Sequence, residues 1–268
     1  MSAFIKSTLL ALVLVLLIFL GFNSVKNNTN YIKYSKELSK QNDPDHRLSF
    51  KIDKFVENLT VGIYSQYSKK QSNIKDLEEN AKNSQSKSLL YLYYFFGTII
   101  IFTLIFMFID HEFLILFIGS ASLVSLFFGL IAPLLMIIVY KNLPIVGMVT
   151  LSFDTKSIIG TIEKLFLQHN YIIAVLVLSF SIVIPFIKSI VILLYGFLKE
   201  SGLGQNIISM IDKLGKWSMA DVFIVALLVV FFSTKQDINS ALKIESGLYF
   251  FLGYVLLSMV GSSLIGKR

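Results

Sequence analysis

Two charged residues in apolar surroundings are the best candidates for chemistry in this sequence. Lys188 lies within Y-I-I-A-V-L-V-L-S-F-S-I-V-I-P-F-I-K-S-I-V-I-L-L-Y-G-F-L, residues 171–198. It stands roughly 15 Å from the C-terminal end of that run at 1.5 Å per residue. Asp221 opens a further apolar run, D-V-F-I-V-A-L-L-V-V, directly after W-S-M-A. A charge at the centre of a membrane helix costs about 2.5–3.5 kcal/mol on insertion scales, so such residues tend to be paired and functional. Desolvation disfavours both charged forms, and a buried Lys–Asp pair can therefore share a proton near neutral pH. The chemistry this suggests is proton relay rather than bond cleavage.

Hydroxyls fall beside these charges at helical spacing. Ser181, Pro185, Lys188 and Tyr195 stand at i, i+4, i+7 and i+14, one face of a helix. Pro185 has no N–H to donate, so it opens the helix near Ser181 and leaves a carbonyl without its usual partner. Farther on, Tyr254, Ser258 and Ser262 recur at four-residue steps on another face. Each has a plainer reading. Ser218-Met219-Ala220-Asp221 fits a capping box that merely starts a helix. Lys188 could snorkel, although the distance is uncomfortable for its side chain. Ser181 and Ser258 could serve only as helix–helix hydrogen bonds.

The elements that must position these residues cross a membrane. The chain has 268 residues, 55% hydrophobic and 15% charged, with a mean hydropathy of +0.72. Several runs exceed the roughly 20 apolar residues a bilayer requires. The net charge of +7 forms no basic patch, because half the basic residues sit in 23–88 among acids, and nucleic acid is not an expected partner. The absence of cysteine rules out disulfides, thiol catalysis and Cys-ligated metals. His46, His111 and His169 lie far apart without ligand spacing, and no metal or cofactor is expected. No G-x-S-x-G or H-E-x-x-H occurs and no histidine lies inside a span, which argues against an enzyme.

In chain order, residues 3–22 read as an uncleaved signal anchor, with Lys6 ahead of a leucine-rich run. Residues 23–88 read as a helical hairpin in the aqueous phase, turned at Asn42-Asp43-Pro44-Asp45 and less ordered near 69–88. This segment is either a docking arm or a solvated loop. Leu89–Ile109 is the second span, Asp110-His111-Glu112 a tight turn, and Phe113–Tyr140 the third span. The third carries small residues Ser122, Ser125 and Gly129 and a kink at Pro133. Ile145–Phe153 has strand character, and 154–166 reads as a short amphipathic helix with Ile158, Ile162, Leu165 and Phe166 on one side. After the fourth span, 205–216 reads as a surface helix ending at the interfacial anchor Trp217. Trp217–Ser233 and Gly247–Ile265 are the fifth and sixth spans, and S-A-L-K-I-E-S-G between them offers a strand to pair with 145–153. Six spans place both termini on one side, but lysine and arginine counts do not fix which side.

The segments I-V-I-P-F-I-K, K-L-G-K-W-S-M-A-D-V-F-I-V-A-L-L-V and S-G-L-Y-F-F-L-G-Y-V-L-L-S-M resemble the paraquat-inducible protein A (PqiA/LetA) family. The resemblance covers roughly Phe113–Lys267 and rests on Pro185, Lys188, Trp217, Ser218, Met219 and Asp221 in combination. The six spans read from hydropathy make the expected fold an all-α polytopic membrane protein with six transmembrane helices. The resemblance implies that 111–268 is a four-helix, tetraspan-like module with a small periplasmic β element and that the 23–88 arm is periplasmic; the hairpin of residues 1–110 has no counterpart in it. The resemblance further implies a bacterial inner-membrane component that works beside an MCE-domain periplasmic partner and moves phospholipid, driven by protons. The family's polar network would fall on Ser181, Lys188, Asp221 and Ser258, and the termini would be cytoplasmic. The chain departs from typical members in having one module and no cysteine-rich zinc ribbon. A non-transporting anchor or assembly subunit is the competing expectation.

Overall fold

The computed structural model describes residues 3–60, 66–144, 146–198 and 240–266. Helix α1, Ala3–Gln41, does not stop where its apolar run ends; its 39 residues continue into the polar segment. Helix α3, Gln66–Ile109, likewise joins polar and apolar halves in 44 residues. At 1.5 Å per residue these helices are about 58 and 66 Å long, twice a bilayer's hydrocarbon thickness. Residues 69–88, expected to be less ordered, are helical. Neither polar half contains a glycine or proline to interrupt the helix begun in the membrane.

The two long helices run antiparallel and are fastened at two depths. Lys6 Nζ lies 2.5 Å from Asp110 Oδ2 at one end. Near the other membrane edge, Ser24 Oγ donates to the Ser88 carbonyl at 3.0 Å and Ser88 Oγ donates to the Ser24 carbonyl at 2.9 Å. The Asn-Asp-Pro-Asp turn is observed as expected. It separates α1 from α2, Pro44–Leu59, and Pro44 occupies the first helical turn, where its missing N–H costs nothing.

Helix α4, His111–Ile131, begins where Asp110 Oδ1 accepts the Glu112 N–H at 3.0 Å. It corrects the expected third span. Instead of continuing through a kink to Tyr140, the helix ends at Ile131, and Leu135–Leu143 is strand β1. Pro133 excludes the α conformation from the residue before it, and Ala132 is extended at ψ 146°. The M-I-I-V-Y that follows suits a strand.

Strands β2, Gly147–Lys156, and β3, Ser240–Ile244, flank β1 antiparallel in the order β2-β1-β3. The expected pairing of the last strand with 145–153 is therefore corrected. β3 pairs with β1 (Leu135 opposite Ile244), because β1 occupies the centre that the sequence had assigned to a membrane helix. A register slip between Val139 and Tyr140 leaves Leu151 without an opposite residue, a bulge.

Helix α5, Ile158–Leu167, is capped by Ser157 and buries Ile158 and Ile162, whereas Leu165 is only half-buried and Phe166 is exposed, so the expected apolar face is covered over its first turns alone. The next crossing comprises α6, Tyr171–Leu178, a π-helical stretch, Ser179–Val183, and α7, Ile184–Leu198. Helix α8, Ser246–Gly266, completes the described fold. Among the described residues five helices are long and apolar enough to cross a membrane: α1, α3, α4, α6–α7 and α8. The surface helix expected at 205–216 and the span expected at 217–233 lie outside the described residues.

Phe95, Phe106, Phe117 and Phe250, all fully buried, join α3, α4 and α8 in one aromatic core. The sheet packs against the long helices rather than standing apart. Met136 shares a cluster with Tyr31 and Ala81, and the Thr150 N–H donates to the Asn42 carbonyl at 3.0 Å.

Candidate functional site

The proline in the fourth crossing acts where the sequence placed it. The Ile184 N–H donates to the Ser179 carbonyl, five residues back, as in a π-helix rather than four back as in an α-helix. Pro185 follows immediately and has no N–H with which to restore the α pattern. Ser181 lies within this widened turn and is buried. Lys188, one turn beyond Pro185, is only 3% exposed.

Small residues set the register of the helices around Lys188. A methyl group on Gly119 would come within 3.2 Å of the Leu193 backbone, and one on Gly196 within 2.6 Å of the Leu116 side chain. These approaches run α4 antiparallel to α7. A methyl on Gly261 would lie 3.2 Å from both Ile118 and Ile192, so α4, α7 and α8 converge there. One turn from that point toward the sheet stand Ser122 on α4, Lys188 and Ser189 on α7, and Ser258 on α8. All four are buried. The structure thus places Lys188 and Ser258 at matching depth on neighbouring parallel helices.

At this level the Ser122 and Ser189 hydroxyls tie α4 to α7. Ser122 Oγ donates to the Gly119 carbonyl at 2.8 Å and lies 3.0 Å from Ser189 Oγ. Ser258 Oγ donates within its own helix, to the Val255 carbonyl at 3.0 Å, and accepts no role in joining helices by that bond. One turn nearer the sheet, Ser125 Oγ donates to the Phe250 carbonyl at 2.6 Å. Ser122 and Ser189 were missed as members of the polar level. The signal for Ser189 was present, since it stands at i+4 from Pro185 and i+8 from Ser181. Asp221, with the motif residues Trp217, Ser218 and Met219, lies outside the described residues.

On the sheet side, an apolar groove of about 560 Å³ runs between α1 and the end of α4, lined by Phe22, Val25, Phe127, Phe128 and Ile131, with Lys26 beside it. Among the described residues no cluster of histidine, aspartate and glutamate could hold a metal ion.

These features define a class: a polytopic membrane protein whose middle holds a lysine and hydroxyls at one depth, with a small sheet at one membrane edge. Residues 124–268 match the family model described as paraquat-inducible protein A. The match spans more than half of the chain, and the chain belongs to that family. Neither curated proteins nor solved structures give a match.

Proposed function

We propose that this chain is the inner-membrane component of an MCE-type lipid transport system, moving phospholipid between that membrane and a periplasmic MCE-domain partner. In this reading the termini are cytoplasmic and the sheet and the 23–88 arm are periplasmic. The observation that carries it is Lys188, buried at the depth where Ser122 and Ser189 hydrogen-bond and Ser258 is also buried. A buried ammonium is too costly to keep for packing alone, and membership of the paraquat-inducible protein A family supports a role in such a system.

Lys188 and Asp221 form the proton-exchanging pair in this reading, and Ser181 and Ser258 orient it. Protonation shifts a bistable packing of α7 against α4 and α8, and the apolar groove beside α1 accepts acyl chains. No covalent step is required. In a strain lacking the native gene, Lys188→Ala and Asp221→Asn should fail to restore detergent resistance at undiminished protein level. Full restoration by both variants would refute the relay.

A second reading, a non-transporting anchor, is favoured by one observation. Leu48, Ile52, Phe55 and Leu59 form an exposed apolar stripe on α2 at the tip of the arm. If the chain only anchors a complex, polar substitution of that stripe abolishes function while Lys188→Ala is tolerated.

A further inference from the structure

A polar cavity sits where the long helices meet the corner between β3 and α8. It measures about 350 Å³ and is lined by Asn28, Gln85 and Ser88 from the long helices and Lys243, Glu245 and Ser246 from the corner, with apolar walls. Asn28, Glu245 and Ser246 are each at most 4% exposed. Among the described residues Asn28 Nδ2, Glu245 Oε1 and Ser246 Oγ lack hydrogen-bond partners. Buried polar groups are costly to leave unpaired; the Asn28 amide and the Glu245 carboxyl face each other closely enough to interact, but Ser246 Oγ and the remaining capacity of that pair are left for a ligand to satisfy.

The corner is held firmly. The Glu245 N–H donates to the Leu134 carbonyl and the Gly247 N–H to the Pro133 carbonyl, both at 2.9 Å. Lys243 Nζ donates to Tyr31 Oη at 2.7 Å and stands 4.5 Å from the centre of that ring. This uses one of its three N–H bonds and leaves donors for an anion. The cavity therefore offers a cation, an amide donor, a carboxyl and a hydroxyl to one ligand.

Its depth identifies the kind of ligand. Ser246 is the first residue of the α8 span. Leu89 opens the apolar run of α3, and Asn28 stands six residues, or about 9 Å, beyond Phe22, the last residue of the apolar run of α1. Ser246 and Leu89 put the cavity at the start of the headgroup layer, which extends roughly 5–8 Å beyond the hydrocarbon on each side, and Asn28 stands at its outer limit. Leu89, Leu242 and Tyr249 supply an apolar wall for the first acyl carbons.

We propose that this cavity binds a phospholipid headgroup bearing a primary amine, a phosphoethanolamine, with its phosphate toward Lys243 and its ammonium toward Glu245 and Ser246, beside the Asn28 amide. A choline headgroup has no N–H to give to Glu245 and Ser246, and a glycerol headgroup has no cation. Burial pushes the Glu245 carboxyl up to about 7, against the pull of Lys243 and of the nearby Asn28 amide. An incoming ammonium favours the ionised form, so binding strengthens from pH 6 to pH 8. The other ionisable groups facing the cavity are Lys243 on β3 and Tyr249 on α8, and Tyr31 on α1 holds Lys243. This inference rests on the lipid-handling reading for its purpose, but its chemistry requires only that the chain lie in a membrane.

Native mass spectrometry of the full chain in detergent tests it. The probes are short-chain phosphatidylethanolamine, phosphatidylcholine and phosphatidylglycerol of matched acyl length, and free glycerophosphoethanolamine. The expected result is retention of phosphatidylethanolamine at least tenfold above the other two lipids. That preference should be abolished in Glu245→Gln and in Asn28→Leu, and kept in Phe55→Ser on the exposed face of α2. Equal retention of the three lipids, or an unchanged preference in both cavity variants, overturns the proposal. Binding of glycerophosphoethanolamine as tight as that of the lipid overturns its assignment to a membrane ligand. A chain that transports lipid without headgroup preference sinks this inference alone, and one that prefers the amine but transports nothing sinks only the transport reading.

Discussion

Replacing Glu245 by glutamine should make the protein more stable above neutral pH, and the size of the gain follows from the cavity. Glu245 is 4% exposed, and burial raises its carboxyl from the ordinary 4.5 to about 7. The unfolded chain releases this proton near 4.5, whereas the folded chain holds it to about 7. Between those values the folded state binds more protons, so stability falls as pH rises, and above 7 the loss is complete. That difference corresponds to roughly 3 kcal/mol. For a chain of this size it amounts to about 5–10 °C in Tm. Glutamine keeps the shape and cannot ionise. Thermal unfolding in detergent, followed by circular dichroism between pH 5 and pH 9, should give curves that separate steadily above pH 5, with the variant higher by that amount at pH 8.5. Parallel wild-type and variant profiles would refute the reasoning, because they would mean that Glu245 is solvated.

Other sites give equally definite expectations. Gly129→Val should lower thermal stability by about 1–3 kcal/mol, because a Cβ there would come within 2.7 Å of the Phe251 nitrogen, backbone that cannot swing aside. Melting curves and detergent yield check this. The Lys6–Asp110 pair is partly shielded, with side chains 16% and 26% exposed, and the lysine's hydrogen bond holds the Asp110 carboxyl below its usual range. A double-mutant cycle with Lys6→Ala and Asp110→Asn, which keeps a capping side chain on α4, should give a coupling of about 0.5–1 kcal/mol that shrinks in high salt.

Much of the helical framework was legible because apolar run length and proline position act locally. The Asn-Asp-Pro-Asp turn, the Ser157-capped helix and the opening of the fourth crossing before Pro185 all follow from residues within one or two turns. Leu135–Leu143 was misread because M-I-I-V-Y is as apolar as a span. Only the break at Pro133 and its pairing on both edges make it a strand, and pairing with β3 lies about a hundred residues away in sequence. The helical continuity of 69–88 depends on a partner helix, supplied through Ser24 and Ser88, that periodicity in one segment does not reveal. At the site, stripe arithmetic found Ser181 and Lys188. Ser122 joined only when the glycine contacts fixed the α4–α7 register. The cavity was invisible for the same reason, since Asn28, Gln85 and Glu245 belong to three separate elements.

The central claim is that lipid movement is coupled to protons through Lys188. Its most direct test uses proteoliposomes containing the chain and radiolabelled phospholipid, with a soluble MCE-domain protein added as the partner that the proposal requires, under an imposed pH gradient. The account predicts gradient-dependent transfer of label to the partner, stopped by a protonophore and reduced to background by Lys188→Met. Transfer that persists undiminished in Lys188→Met, or after the gradient is collapsed, would contradict it.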